Sequence, residues 1–156
     1  MQPKSIDLRT DGLMTLSGEV RTPATLSVAT LRSMPQRETT VSFECRTSGL
    51  RRHHFTGPLL VDVLQAAGPL FDQDERKDRL RFLISVLGRD GHRAVLSWGE
   101  IDPEFGNTAA LLAVTMDCLD LDEQGPHLVM PGDRCGGRHI SQVVEIKFCA
   151  YDRLWG

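Results

Sequence analysis

The sequence predicts one α+β domain, built mostly of short strands with two helices. Apolar and polar residues alternate over several short runs, the mark of half-buried strands. One stretch, residues 58–68, has helical spacing instead. No repeat, low-complexity tract or linker divides the 156 residues, so a single domain spans 1–156. A chain of that length can bury a core without a metal or disulfide staple.

Residues 6–9 alternate, Asp11-Gly12 is a hairpin-turn pair, and alternation resumes over 13–20. Pro23 interrupts it. Residues 27–34 read as a short helix ended ahead of Pro35. Residues 39–45 return to β-branched and aromatic chemistry and end at Cys45. A polar stretch then runs to Phe55-Thr56-Gly57. Over 58–68, Pro58 suits a first turn, Leu60, Val63, Leu64 and Ala67 share a face, and Gly68 follows the end. The charged run 72–78 reads as a solvated loop. Residues 80–87 and 92–96 read as a hairpin around Arg89-Asp90-Gly91, and 97–103 as a turn or single helical turn capped by Ser97. Residues 109–116 read as one buried strand with an acidic turn region at 117–124 after it. A short strand at 127–130, a glycine-rich loop at 131–137 and a last strand at 141–149 bring the total to seven or eight strands.

Hydrophobic residues make up 40% and charged residues 25%, ordinary globular usage that excludes a disordered, collagen-like or coiled-coil chain. Apolar runs such as 109–114 fall far short of the ~20 residues a membrane helix needs. The N-terminus lacks the apolar core of a secretory signal. The expectation is a soluble, cytoplasmic protein with no membrane partner. A net charge of −3 gives no field that would recruit nucleic acid. The four cysteines follow no metal or disulfide framework and read as reduced thiols, with Cys118 and Cys149 expected inside.

Charge is distributed more tellingly than its sum suggests. Fifteen of the 18 basic residues are arginine, the side chain that forks onto oxyanions. From 45 to 61 the chain holds Arg46, Arg51, Arg52, His53 and His54 with no acid. A second acid-free run between Asp133 and Glu145 holds Arg134, Arg138 and His139, with Gly132, Gly136 and Gly137 in the loop. Two such segments suit an anionic ligand, and glycines let backbone N–H groups approach it. Separate surface loops on an arginine-rich protein are the plain alternative. Cys45, at a strand end among basic groups, suits a nucleophile or soft-metal ligand, or an incidental thiol. Cys45, His53 or His54, Cys135 and His139 could supply four zinc ligands, although their spacing matches no zinc pattern. Neighbouring residues on a strand face opposite ways, so one of His53 and His54 is expected to reach any site. His92 reads as a pocket residue or a strand's first residue, Trp98 as core. No serine sits in a nucleophile-elbow context.

Several segments, in order, resemble the sulfite-oxidase-type molybdopterin-binding domain family from about residue 16 to 148. They are Leu16-Ser17-Gly18-Glu19-Val20-Arg21-Thr22-Pro23-Ala24-Thr25-Leu26-Ser27, Leu31 with Met34-Pro35, and the strand ending at Cys45 followed by Phe55-Thr56-Gly57-Pro58-Leu59-Leu60-Val61-Asp62-Val63-Leu64. Arg89-Asp90-Gly91-His92, Gly125-Pro126-His127-Leu128-Val129-Met130-Pro131-Gly132 and Arg138-His139-Ile140-Ser141-Gln142-Val143 complete the set. The resemblance implies a mixed α+β fold and oxygen-atom transfer at a molybdenum ligated by a cysteine and one pyranopterin dithiolene, without haem. By position, Cys45 would be the metal ligand and, with Arg52 and His54, catalytic. Arg51 and His53 would also line the pocket. Gly132, Arg134, Gly136, Gly137, Arg138, His139 and Ser141 would hold the cofactor. A small oxyanion or oxide substrate and an electron-transfer partner are implied with it. Where sulfite oxidase carries a Gly-Asn-Arg-Arg-like run, this chain has Arg46-Thr47-Ser48-Gly49-Leu50, and it is shorter than the family's catalytic subunits. A non-catalytic module that keeps the fold and binds an anion or a partner is the alternative.

Overall fold

The computed structural model describes residues 12–45 and 49–152. The first half of the chain gives β1 (Met14–Gly18), β2 (Ala24–Leu26), α1 (Val28–Arg32), β3 (Arg37–Cys45), β4 (Gly49–Gly57) and α2 (Leu60–Ala67). The second half gives β5 (Phe82–Gly88), β6 (Arg93–Ser97), α3 (Trp98–Ile101), β7 (Leu111–Ala113), β8 (Thr115–Met116), β9 (Leu119–Asp120), β10 (His127–Val129) and β11 (Val143–Ala150). Tight 3-10 turns occupy Arg76–Arg81 and Gly136–Arg138.

Alternation lays down the largest sheet. β5 buries Phe82, Ile84 and Val86, and β6 buries Ala94 and Leu96, while the residues between are wetter. The sheet runs β2-β1-β11-β5-β6, antiparallel except where β1 lies parallel to β11. The parallel pair joins opposite ends of the chain, so the domain closes on itself. α1 and α2 supply Val28, Leu31, Leu60, Val63 and Leu64 to the core beside this sheet. Ser27 caps α1 by accepting from Thr30 N at 3.1 Å, and Gly68, at φ 77°, ends α2.

Gly18 closes β1 beside Phe148 at φ 107°, and a Cβ there would run into the Phe148 carbonyl oxygen. Both the conformation and the contact exclude a side chain. Gly18→Ala is therefore expected to cost about 3 kcal/mol in urea unfolding at unchanged m. A loss within measurement error would contradict this account of the β1–β11 seam.

A second, smaller core gathers Val41, Phe55, Leu111, Ala113, Leu121 and Val129. Over it lies a sheet of order β3-β4-β8-β9, and beside that the two-stranded pair β10-β7. This half departs most from the sequence reading. The polar stretch after Cys45 is strand from Gly49 onward, because its backbone pairs with β3 from Cys45↔Gly49 to Arg37↔Gly57. Residues 109–116 split into β7 and β8: β7 joins β10, and β8 joins β4 and β9. The charged 72–78 loop runs into a 3-10 turn. Among the described residues there are eleven strands and three short α-helices, so the two expected helices stand and α3 is the single turn capped by Ser97.

Cys118 and Cys149 are exposed, contrary to expectation. Alternation on β11 sends Phe148 inward and Cys149 outward, and Cys118 occupies a tight turn between β8 and β9. Trp98 is core. The expected strand at 6–9 lies outside the described residues. Among those described, no helix is long and apolar enough to cross a membrane.

Candidate functional site

The β3–β4 register sorts the basic segment by face. Phe43 pairs with Arg51, Val41 with His53 and Thr39 with Phe55, so these share one face of the hairpin. Ser42 with Arg52 and Thr40 with His54 share the other. His54 Nδ1 lies 3.1 Å from Thr40 Oγ1, and its Nε2 lies 3.9 Å from Glu38. Only His53 of the adjacent pair turns inward, as strand geometry demands.

Two further imidazoles meet that inner face. His127 comes from β10, and His139 ends the Gly136–Arg138 turn. Their ring centroids are 5.4 Å apart, edge to face. His139 lies 5.1 Å from the Phe43 ring and 5.4 Å from Phe55, and His127 lies 6.5 Å from Phe55. His53 packs 6.2 Å from each of the two phenylalanines. The result is a cluster of three histidines and two phenylalanines between hairpin, β10 and glycine loop.

Three atoms in this cluster are unusual. His127 is 4% exposed, yet among the described residues neither of its ring nitrogens has a hydrogen-bond partner, and His139 Nδ1 is buried without one. Buried polar atoms are nearly always satisfied, and leaving one unpaired costs about 1–3 kcal/mol. Burial pushes the His127 pKa down to about 4, helped by the neighbouring charge of His139. Burial also pushes His139 to about 4, with His53 and His92 adding to it. Both rings are neutral at pH 7, each offering one N–H and one lone pair.

The glycine loop is tied down rather than free. Arg138 donates through Nε and one terminal nitrogen to Asp133, at 2.9 and 2.6 Å, and through the other to Glu100 at 2.9 Å. Those carboxylates raise its pKa, first Asp133 and then Glu100. Gly137 O lies 3.0 Å from His92 Nε2, so the His92 ring donates there and pins the loop to the β5–β6 turn. A Cβ on Gly136 would press on the Phe43 ring at 3.4 Å, whereas Gly132 faces open space. Arg134, Cys135 and Ser141 are exposed.

Of the residues singled out from sequence, His53, His139, Gly136 and Gly137 therefore converge. Arg51 and Arg52 are exposed on β4, and Arg52 and His54 face away from the cluster. Cys45 ends β3, but its side chain, like residues 46–48, lies outside the described residues. Among those described, no group of three His, Cys, Asp or Glu side chains could hold a metal ion, and the zinc set read from sequence includes Cys45, which lies outside that search. Sequence reasoning missed His127, Asp117 and Glu100. His127 sits in an apolar run whose only oddity is one imidazole, and that was the available signal.

The oxidoreductase molybdopterin binding domain family matches residues 9–151. The chain belongs to that family. The molybdopterin-binding-domain chain is similar in fold to the crystal structure of the sulfane dehydrogenase SoxCD from Paracoccus pantotrophus, with a TM-score of 0.69 and 18% identity. The match covers 92% of this chain and 40% of that one, so this chain spans well under half of its length. The expected α+β fold of mixed sheets with a few short helices is thus observed. No curated protein matches the chain. The residues present fit the family's pterin group on one structural count: three buried ring nitrogens lack partners among the described residues, and a heterocycle rich in N–H and carbonyl groups would supply them.

Proposed function

We propose that this domain holds a pyranopterin molybdenum cofactor against the histidine cluster and acts as an oxidoreductase on a small oxyanion or oxide. The single observation that supports this best is the set of unpartnered nitrogens on His127 and His139. A buried pterin edge would satisfy them, and their neutral state suits an uncharged heterocycle better than a bare anion. When bound, the group supplies two-electron redox chemistry by which an oxygen atom is exchanged with substrate. Cys45, at the end of β3, is the residue proposed to ligate the metal. His53, His127 and His139 would orient the group, and Phe43 and Phe55 would exclude water beside it. Arg51 shares the inner face with His53 and is better placed to meet an oxyanion than Arg52 or His54. A separate redox protein completes turnover.

The alternative is a non-catalytic module that binds an anion or a partner without the cofactor, and its anion arm draws little support from Arg138, whose donors already serve two carboxylates. Metal analysis separates the readings. Protein purified from a molybdopterin-competent host is expected to carry stoichiometric molybdenum, and Cys45→Ser to lose most of it. Molybdenum absent from the wild type would overturn the cofactor reading. Content unchanged in Cys45→Ser would remove that residue from the metal.

A further inference from the structure

We propose that Asp117 is a positioning residue that fixes His53 with its lone pair on Nε2, making that atom the proton acceptor of the site. The proposal rests on the reading that the inner face of the β3–β4 hairpin is the functional surface. Asp117 and Cys118 form the two-residue turn between β8 and β9, at φ 52° and 68°. Such a hairpin needs positive φ at both positions, which glycine, asparagine and aspartate accept and a cysteine resists. The chain holds this turn for a geometric reason. Asp117 N donates to His54 O at 2.7 Å, and Asp117 Oδ1 accepts from His54 N at 2.9 Å. Together these extend the β4–β8 pairing by one rung beyond Phe55↔Met116.

With main chain and Oδ1 both locked onto β4, Oδ2 comes within 2.7 Å of His53 Nδ1. The His53 hydrogen bond, then the His54 N–H, hold the Asp117 carboxyl below the usual range, so it stands ionised and can only accept. Nδ1 of His53 must therefore carry a hydrogen, so in the neutral ring the lone pair is on Nε2. The ring is 27% exposed between Phe43 and Phe55, open enough to exchange a proton with an occupant of the cluster. None of the other four histidines combines these features. His127 is buried, His139 is half-buried with its Nδ1 enclosed and, among the described residues, no carboxylate on it, His54 faces outward, and His92 Nε2 is committed to Gly137 O.

Two measurements on the full chain without cofactor test this. Long-range proton–nitrogen spectra are expected to place the His53 hydrogen on Nδ1 in the wild type. In Asp117→Asn, which suits the turn and folds, the carboxamide oxygen stays with the His54 N–H and its NH2 faces Nδ1. The hydrogen then moves to Nε2. The second readout is reaction with diethyl pyrocarbonate, followed residue by residue by mass spectrometry. There the Nε2 lone pair attacks a carbonyl, an N–C bond forms and the anhydride C–O bond breaks. The leaving ethyl carbonate takes the ring's Nδ1 proton and falls apart to carbon dioxide and ethanol. Modification of His53 is expected to slow roughly tenfold in Asp117→Asn while that of His54 is unchanged. The same tautomer and rate in both proteins would overturn the role of Asp117. Because neither readout needs the cofactor, absence of molybdenum would leave this result standing and sink only the reading of the cluster's ligand.

Discussion

Asp102→Ala is expected to destabilise the domain by about 4 kcal/mol. Asp102 is 1% exposed, and its carboxylate is fully used. Oδ2 accepts from Trp98 Nε1 at 2.6 Å and from Arg79 at 3.0 Å, and Oδ1 accepts from Glu104 N at 2.8 Å. Truncation strands an indole N–H inside a packed aromatic group, where Trp98 lies 5.1 Å from Phe71 and 5.6 Å from Phe148. It also takes from Arg79 its buried carboxylate partner and leaves it Glu104, a more exposed one. Asp102→Asn keeps an acceptor for Trp98 and should recover roughly half of the loss. Urea unfolding of the three proteins gives the comparison, and an alanine variant within about 1 kcal/mol of wild type would refute the staple. The effect reaches the site as well. α3 runs from Trp98 to Ile101 and carries Glu100, one of the two carboxylate partners of Arg138, so loosening its end removes one tie on the glycine loop that carries His139.

Which parts of this protein were legible in its sequence follows from where the information lies. β5, β6 and β11 each have one wet and one dry face, so alternation reveals them. β4 does not, because Arg51-Arg52-His53-His54 carries no apolar period and its strand state comes from pairing with β3. Residues 109–116 are apolar on both sides, and a run without a face cannot show where one sheet hands over to another. The ordered motifs made the family legible over most of the chain, and the match at 9–151 agrees. Charge was the weaker guide. The run between Asp133 and Glu145 is acid-free along the chain but not in space, where Glu100, 38 positions away, meets Arg138. Conversely, His127 looked like one residue of a strand. Its meaning appears only when β10 and the glycine loop bury it beside His139.

That burial makes the cofactor-free protein acid-sensitive in a window its carboxylates do not cover. His127 and His139 have folded pKa values of about 4 against 6.5 for an ordinary histidine. Between those values the unfolded chain binds protons that the folded chain refuses, so stability rises with pH. The contribution is complete above about pH 6.5 and is lost as pH falls towards 4, by roughly 3 kcal/mol for His127 alone. Asp117, Asp122 and Asp133 are also held below the usual carboxylate range, each by a hydrogen-bonded partner: His53, Arg32 and Arg138. Their stabilisation persists down to about pH 4 and disappears below it, so the two groups of residues separate on the pH axis. His127→Leu tests the assignment. It deletes two unpartnered polar atoms and should raise stability at pH 7 by about 1–2 kcal/mol, while flattening the slope between pH 6.5 and 4 by about half. The same variant removes contacts proposed for the pterin and should load less molybdenum. A variant that is less stable at pH 7 and keeps the full slope would mean that His127 is satisfied in the folded protein. A more stable domain that binds its cofactor less well is what a site built for an occupant, and strained without one, would give.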